Sequence, residues 1–288
     1  MSYDGFIVSL ENEGYSQQTV ESYEAVLNQF YAYLGQKYKK RVDPVDIQAS
    51  DIKGYLKEQV EKRQKQISTV NKELAVLKSY FNFLWEHNIV AVDPAVKIKR
   101  FMVDSRPVVD VTYGELKKVL QKVLDNPTYP PIRKAIFVLA MKGLKSSEFK
   151  IKKRQIEISD HDNKVYVHLH NRSITLEGEE AETFLEYYYS ACLNSGEYLS
   201  TSTTQKKKEV VPIKLKTLLN HIKIIVKDYL PEHSRSLTLI SIRRAIMYHH
   251  FVNGMSVQQI ADIMGLQEDS VAYYINRVDG KPEKTKNP

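Results

Sequence analysis

Residues 254–278, GMSVQQIADIMGLQEDSVAYYINRV, place a small residue (Ala261), a turn glycine (Gly265) and an aliphatic (Val271) at helix-turn-helix spacing. In that reading residues 258–264 form the first helix and residues 269–276 the helix that reads DNA. Glu268 and Asp269 argue against it, because they set carboxylates where phosphates would lie and suit helix capping better. Two other polar runs suit an anion: Ser16, Gln17, Gln18 and Thr19, and Ser68, Thr69, Asn71 and Lys72. Each opens a long apolar-periodic segment, and a helix start turns free N–H groups and the positive end of its dipole outward. Asn and Gln side chains can also pair with adenine in the major groove. The basic run TQKKKEVV (residues 204–211) adds Lys206, Lys207 and Lys208. All three runs are equally compatible with ordinary capping and solvation.

Other chemistries find little support. His168 and His170 alternate on a strand, and His249 and His250 are adjacent with no Cys, Asp or Glu at ligand spacing, so no metal is expected. No glycine-rich nucleotide fingerprint or serine nucleophile elbow is present, and no cofactor is expected. The single cysteine, Cys192, excludes an internal disulfide and fits a reducing cytoplasm. Apolar runs such as AIFVLAM (residues 135–141) are too short to span a bilayer, and the acidic start does not read as a signal peptide. The 42 Lys and Arg against 35 Asp and Glu give a net charge of +7, which favours an anionic partner.

These residues need elements to position them. Helical spacing links Tyr23, Leu27, Phe30 and Leu34, with Ser16 or Thr19 as cap, then Ile52, Leu56 and Val60, then Leu74, Leu77, Phe81 and Leu84. Periodicity fails across residues 91–107, which hold two prolines. Helices resume over residues 111–124 and 131–144. The period then drops to two in QIEIS, KVYVHLH and RSITL, with DHDN as a turn. Helical spacing returns at Ala181, Phe184, Leu185 and Tyr188, and at Leu215, Leu219, Ile222 and Val226. The expected fold is mainly α with a small antiparallel sheet (α+β). It divides into a helical domain (residues 1–100), a linker (101–108) and a second domain (109–288).

This order resembles the tyrosine recombinase (phage integrase) family over almost the whole chain. LENEGYSQQTVESYEAVLNQFYAYL is similar to the opening of that family's core-binding domain, and STVNKELAVLKSYFNFLWEHNIVAVDPA to its last helix and exit. LAMKGLKSSEF falls at the Thr-Gly-Leu-Arg-x-Ser-Glu segment, and LISIRRAIMYHHFVNGMSVQQIADIMGL at the His-x-x-Arg-His helix and the Leu-Gly-His after it. The resemblance implies a helical core-binding (SAM-like) domain and a catalytic-like domain that clamp double-stranded DNA.

It also implies a chemistry in which a tyrosine hydroxyl attacks a phosphodiester. Arginines grip the non-bridging oxygens, and lysine and histidine manage the protons. Here the first arginine position holds Lys145, the hairpin offers Arg172 but no lysine, and Ile240 stands at the first histidine position. Arg243 is retained, Arg244 takes the next position, and Leu266 replaces the last histidine. Tyr274 matches the nucleophile if the preceding turn is one residue shorter; otherwise Ile275 falls there, and YY is a packed aromatic pair. The carbons at Ile240 and Leu266 cannot move a proton, so the expectation is a catalytically degenerate protein that is not an enzyme. The role expected of it is sequence-specific DNA binding in transcriptional control, as a repressor of a phage or mobile element, with possible self-association on DNA. Two alternatives remain: a working recombinase using Tyr274 with Arg243, Lys145 and Arg172, and an accessory factor joined to a recombinase assembly.

Overall fold

A computed structural model describes residues 3–102, 111–159, 161, 163–203, 210–231 and 237–278. The chain divides into two compact units, Met1–Ser105 and Arg106–Pro288, each with its own core. Most of the expected 101–108 linker lies outside the described residues.

The first unit is helical: α1 (Asp4–Asn12), α2 (Gln17–Tyr38), α3 (Ala49–Glu61) and α4 (Ile67–Glu86). Ser16 caps α2, its hydroxyl accepting from the Thr19 amide at 3.3 Å. Helix α4 begins one residue before Ser68, so Ser68 and Thr69 lie in its first turn. Leu27, Phe30, Leu34, Ile52, Tyr55, Leu74, Leu77 and Phe81 are fully buried, as helical spacing requires. Helix α1 was not expected from the sequence. It docks Phe6 against Tyr80 and Phe83, a contact between segments far apart in the chain.

One carboxylate is fully buried in this unit. Asp51 accepts from Lys37 Nζ at 2.5 Å, Tyr38 Oη at 2.6 Å and the Gln48 amide at 3.0 Å. Burial alone would raise its pKa, but the Lys37 and Tyr38 bonds outweigh that and hold it below the usual carboxylate value.

The second unit is built around α6 (Pro131–Met141), whose residues from Ala135 to Met141 are all buried. Beside it in sequence lie α5 (Tyr113–Leu124), capped by Thr112, and a 3-10 turn (Ser146–Phe149). Strands β1 (Ile156–Ser159), β2 (Lys164–His168) and β3 (Ser173–Leu176) form an antiparallel sheet in that order. Pairing Val165 with Leu176 and Val167 with Ile174 sends all four into the core. After α7 (Gly178–Cys192) comes a second hairpin, β4 (Thr201–Thr203) with β5 (Val210–Pro212), which the sequence reading took for a plain basic loop. Helices α8 (Leu215–Tyr229), α9 (Leu239–Val252), α10 (Val257–Met264) and α11 (Glu268–Val278) complete the unit. The fold is therefore mainly helical with a small antiparallel sheet. Among the described residues no helix is long and apolar enough to cross a membrane.

Candidate phosphate and nucleic-acid site

Glu148, in the 3-10 turn after α6, ties three pieces of the second unit together. Its carboxylate accepts from the Lys145 backbone amide at 2.8 Å and from Arg172 Nη2 at 3.2 Å. Arg172 comes from the tip of the β2–β3 hairpin, with only 5% of its side chain exposed. It also donates to the Gly143 carbonyl at 3.0 Å and to the Ile263 carbonyl at the end of α10. The Lys145 ammonium stands 4.0 Å from Glu148 and is 44% exposed. A guanidinium from the hairpin thus sits beside Glu148, and Lys145 is left half in solvent.

Gly265 makes this packing possible. It caps α10 in the left-handed region at φ +60°, and a Cβ there would stand 3.1 Å from Arg172 Cδ. The expected helix-turn-helix segment thus folds as two helices about a glycine turn, and its turn closes over a buried arginine.

Arg243 of α9 is 8% exposed and donates to the Met264 carbonyl at 2.9 Å. Burial lowers its pKa from the ordinary guanidinium value; Glu148 opposes that and the nearby Arg172 charge adds to it. Arg244, the next residue, places its guanidinium 5.4 Å from the centre of the Tyr274 ring. Tyr274 is 6% exposed, whereas Tyr273 is 51% exposed, so the two tyrosines occupy different environments. Burial pushes Tyr274 up to about 12, with Arg244 pulling it down and Tyr248 raising it.

Arg172 Nε, Arg243 Nε and Tyr274 Oη are buried and find no hydrogen-bond partner among the described residues. Leaving a buried donor unpaired costs about 1–3 kcal/mol. Arg133 Nε and His221 Nδ1 are buried without a partner in the same way. Ile240 is 62% exposed, and Leu266 packs against the core. Among the described residues no group of His, Cys, Asp and Glu side chains is gathered for a metal ion.

The candidates in the first unit are not brought into one cluster. Gln17 donates to Glu21 at 3.1 Å, Thr19 bonds the capping Ser16, and Gln18 is exposed. Ser68, Thr69 and Lys72 are exposed on α4. Asn71 exchanges two hydrogen bonds with the Phe101 backbone, at 2.9 and 2.8 Å, so its amide holds the chain leaving this unit. Lys65, before α4, reaches Gln29, twelve positions beyond Gln17 in α2. The head of α4 therefore lies over the middle of α2, away from its start. Lys206, Lys207 and Lys208 lie outside the described residues.

Sequence reasoning missed one feature, an open cleft of about 320 Å³ next to Glu148, lined among others by Lys145, Lys150, His170 and Asn171. Only the folded hairpin brings residues 170–171 to residues 145–150, and no spacing rule signals it.

Residues 4–88 match the phage integrase N-terminal SAM-like domain. Tyrosine recombinase XerC of Thermodesulfovibrio yellowstonii is 29% identical over 93 residues, which are 31% of this chain and 29% of that protein. The matched stretch thus spans less than a third of the curated relative. Over 99% of this chain the fold matches a lambda integrase fragment in a dimer bound to a COC′ core site, with TM-score 0.68, 14% identity and 98% of that chain covered. The Tn1549 transposon integrase in complex with circular intermediate DNA gives TM-score 0.66 at 15% identity, covering 95% of this chain and 97% of that one. A lambda integrase tetramer bound to a Holliday junction gives 0.67 at 14% identity, covering 100% and 79%.

These matches correct one expectation. The chain was expected to be a degenerate protein and not an enzyme, yet the proteins it resembles are named as a tyrosine recombinase and integrases. None of the matches points to lost chemistry.

Proposed function

We propose that this chain, with its phage integrase SAM-like first domain and tyrosine recombinase fold, binds duplex DNA and attacks one strand through Tyr274. The observation that carries this reading is the set of buried, unpartnered donors, Arg172 Nε, Arg243 Nε and Tyr274 Oη. Arg243 and Arg172 grip the non-bridging oxygens of one phosphodiester and Lys145 adds a point charge from the half-exposed side. Glu148 holds Arg172 in place. The Tyr274 oxygen forms a bond to phosphorus and gives its proton to water, while the bond from phosphorus to the 5′-oxygen breaks and that oxygen takes a proton from water. Arg244, over the Tyr274 ring, favours the phenolate as it develops. Polar helix starts in the first unit, Gln17, Gln18 and Thr19 on α2 and Ser68, Thr69 and Lys72 on α4, contact the duplex on either side. Lys206, Lys207 and Lys208 add phosphate contacts. The solved relatives are DNA complexes of dimers and tetramers, which supports self-association on DNA here.

A nicked suicide duplex tests this reading, because the short strand beyond the nick diffuses away after cleavage. The wild-type protein is expected to form a covalent DNA adduct that Tyr274→Phe abolishes, with duplex affinity retained. No adduct from the wild type, or an equal adduct from Tyr274→Phe, would overturn the nucleophile assignment.

One observation favours a second role, transcriptional control in a phage or mobile element. Ile240 and Leu266 supply no proton to the leaving oxygen, so turnover is slow and the protein stays bound to its site. Mapping bound sites across the genome tests it. A few promoter sites with repression of the adjoining genes support control, and a single attachment-like site contradicts it.

A further inference from the structure

The cleft beside Glu148 shares Lys145 with the grip on the attacked phosphate, and the rest of its lining comes from residues 147, 148 and 150, Gln155 and residues 169–171. Lys145 and Lys150 cap the two ends of the 3-10 turn that holds Glu148, and His170 and Asn171 come from the tip of the β2–β3 hairpin. Gln155 braces the wall: its amide nitrogen donates to the His168 carbonyl at 2.6 Å, and its oxygen accepts from the Lys152 amide at 2.8 Å. The amide nitrogen thus ties the end of β2 to the residue before β1. The hairpin tip is thereby fixed opposite Lys150.

The charge in the cleft is positive. Glu148 Oε2 accepts from the Arg172 guanidinium and the Lys145 amide, and its Oε1 lies 4.0 Å from the Lys145 ammonium, so the exposed Lys150 ammonium carries the unpaired positive charge. Lys150, His170 and Asn171 are exposed, and they make no hydrogen bond or ion pair among the described residues. Together they offer an ammonium group, an imidazole N–H and an amide NH₂ on the walls of an open cleft. Such donors suit a singly charged, solvent-facing oxyanion. A cleft of about 320 Å³ open along one side accepts a backbone passing through.

We infer that this cleft binds a second phosphodiester of the duplex, next on the same strand to the one attacked, through Lys150, His170 and Asn171. The inference rests on the proposed DNA-binding reading and extends it to residues outside the reacting group. Lys150 supplies the charge that displaces a counterion, and Asn171 and His170 supply direction. The role is positional: holding the neighbouring phosphate fixes the strand so that the attacked phosphorus meets Tyr274.

Fluorescence anisotropy with a labelled duplex over a salt series tests it, using the full chain and Lys150→Gln, Lys150→Arg and Lys150→Gln/Asn171→Ala variants. Each phosphate contact contributes about 0.9 to the slope of log affinity against log salt. Lys150→Gln is expected to lower the slope by about that amount and to weaken all duplex sequences alike. Lys150→Arg is expected to restore the slope. The double variant is expected to bind more weakly still at the same reduced slope, because a neutral amide releases no counterion. Both positions are exposed, so an unchanged thermal midpoint checks that each variant is folded. Wild-type and Lys150→Gln slopes that coincide, with both proteins binding duplex, would overturn the cleft assignment alone. A wild type that fails to bind duplex at all would overturn the reading beneath it.

Discussion

A phenol in water loses its proton near pH 10, and Tyr274 departs from that because its ring is packed inside the second unit. Its pKa rises to about 12, so at neutral pH the nucleophile is protonated and the proton must leave during attack. Adduct formation on a nicked duplex is therefore expected to keep rising with pH as long as the duplex stays paired, and a plateau within that range would contradict the burial seen here. The folded value exceeds the unfolded one, so the stability gained by keeping the phenol neutral is full below pH 10. It is lost as pH climbs through about 12. The buried Tyr274 hydroxyl is also unpaired, so Tyr274→Phe is expected to stabilise the protein by about 1 kcal/mol, read from denaturant melts. Asp51 has the opposite sign. Its folded pKa is depressed, so its contribution is full above the ordinary carboxylate range and is lost as pH falls through the lowered value. Asp51→Asn is expected to cost about 2 kcal/mol at neutral pH and to flatten the acid limb of the stability profile.

At the scale of elements, Arg172 and Gly265 act as one device. The Arg172 guanidinium joins the hairpin, the turn after α6 and the end of α10. Arg172→Ala leaves Glu148 and two carbonyls without their donor, and breaking a buried pair on one side costs about 3–5 kcal/mol. Thermal unfolding should show that loss in full, and a change below about 1 kcal/mol would mean that the pin does not hold. Gly265→Ala forces a side chain into the left-handed region and against Arg172, with an expected cost of about 1–2 kcal/mol and slower adduct formation. Only part of this was legible beforehand. The three-strand run and the turn glycine showed in the sequence because alternation and φ-permissive residues are local signals. That Arg172 would stand beside Glu148, with Lys145 turned outward, was not visible. It depends on a hairpin meeting a turn 24 positions away. Helix α1 and the β4–β5 hairpin were missed for a related reason: each is short, and tertiary contact stabilises it more than its own periodicity does. Asn71 read as a possible base reader, and the folded chain spends its amide on Phe101.

For the whole molecule, element order along two units was enough to place the fold, because apolar periodicity survives when side-chain chemistry drifts. The chemistry was misjudged from the same letters. Ile240, Leu266 and Lys145 were read one by one as losses, and the conclusion that the protein is not an enzyme did not survive comparison with its relatives. A site works as a set of neighbours, and the buried arginines Arg172 and Arg243 flank Glu148 whatever stands at the histidine positions. What those positions do imply is a particular weak step. With no proton donor at Ile240 or Leu266, departure of the 5′-oxygen should limit cleavage, whereas the attack by Tyr274 should not. The most direct measurement is single-turnover cleavage of a duplex whose bridging 5′-oxygen at the attacked phosphate is replaced by sulfur, a leaving group that needs no proton. The account predicts a Tyr274-dependent adduct that accumulates faster with the sulfur duplex than with its oxygen counterpart. No adduct from either duplex, with both bound, would contradict it.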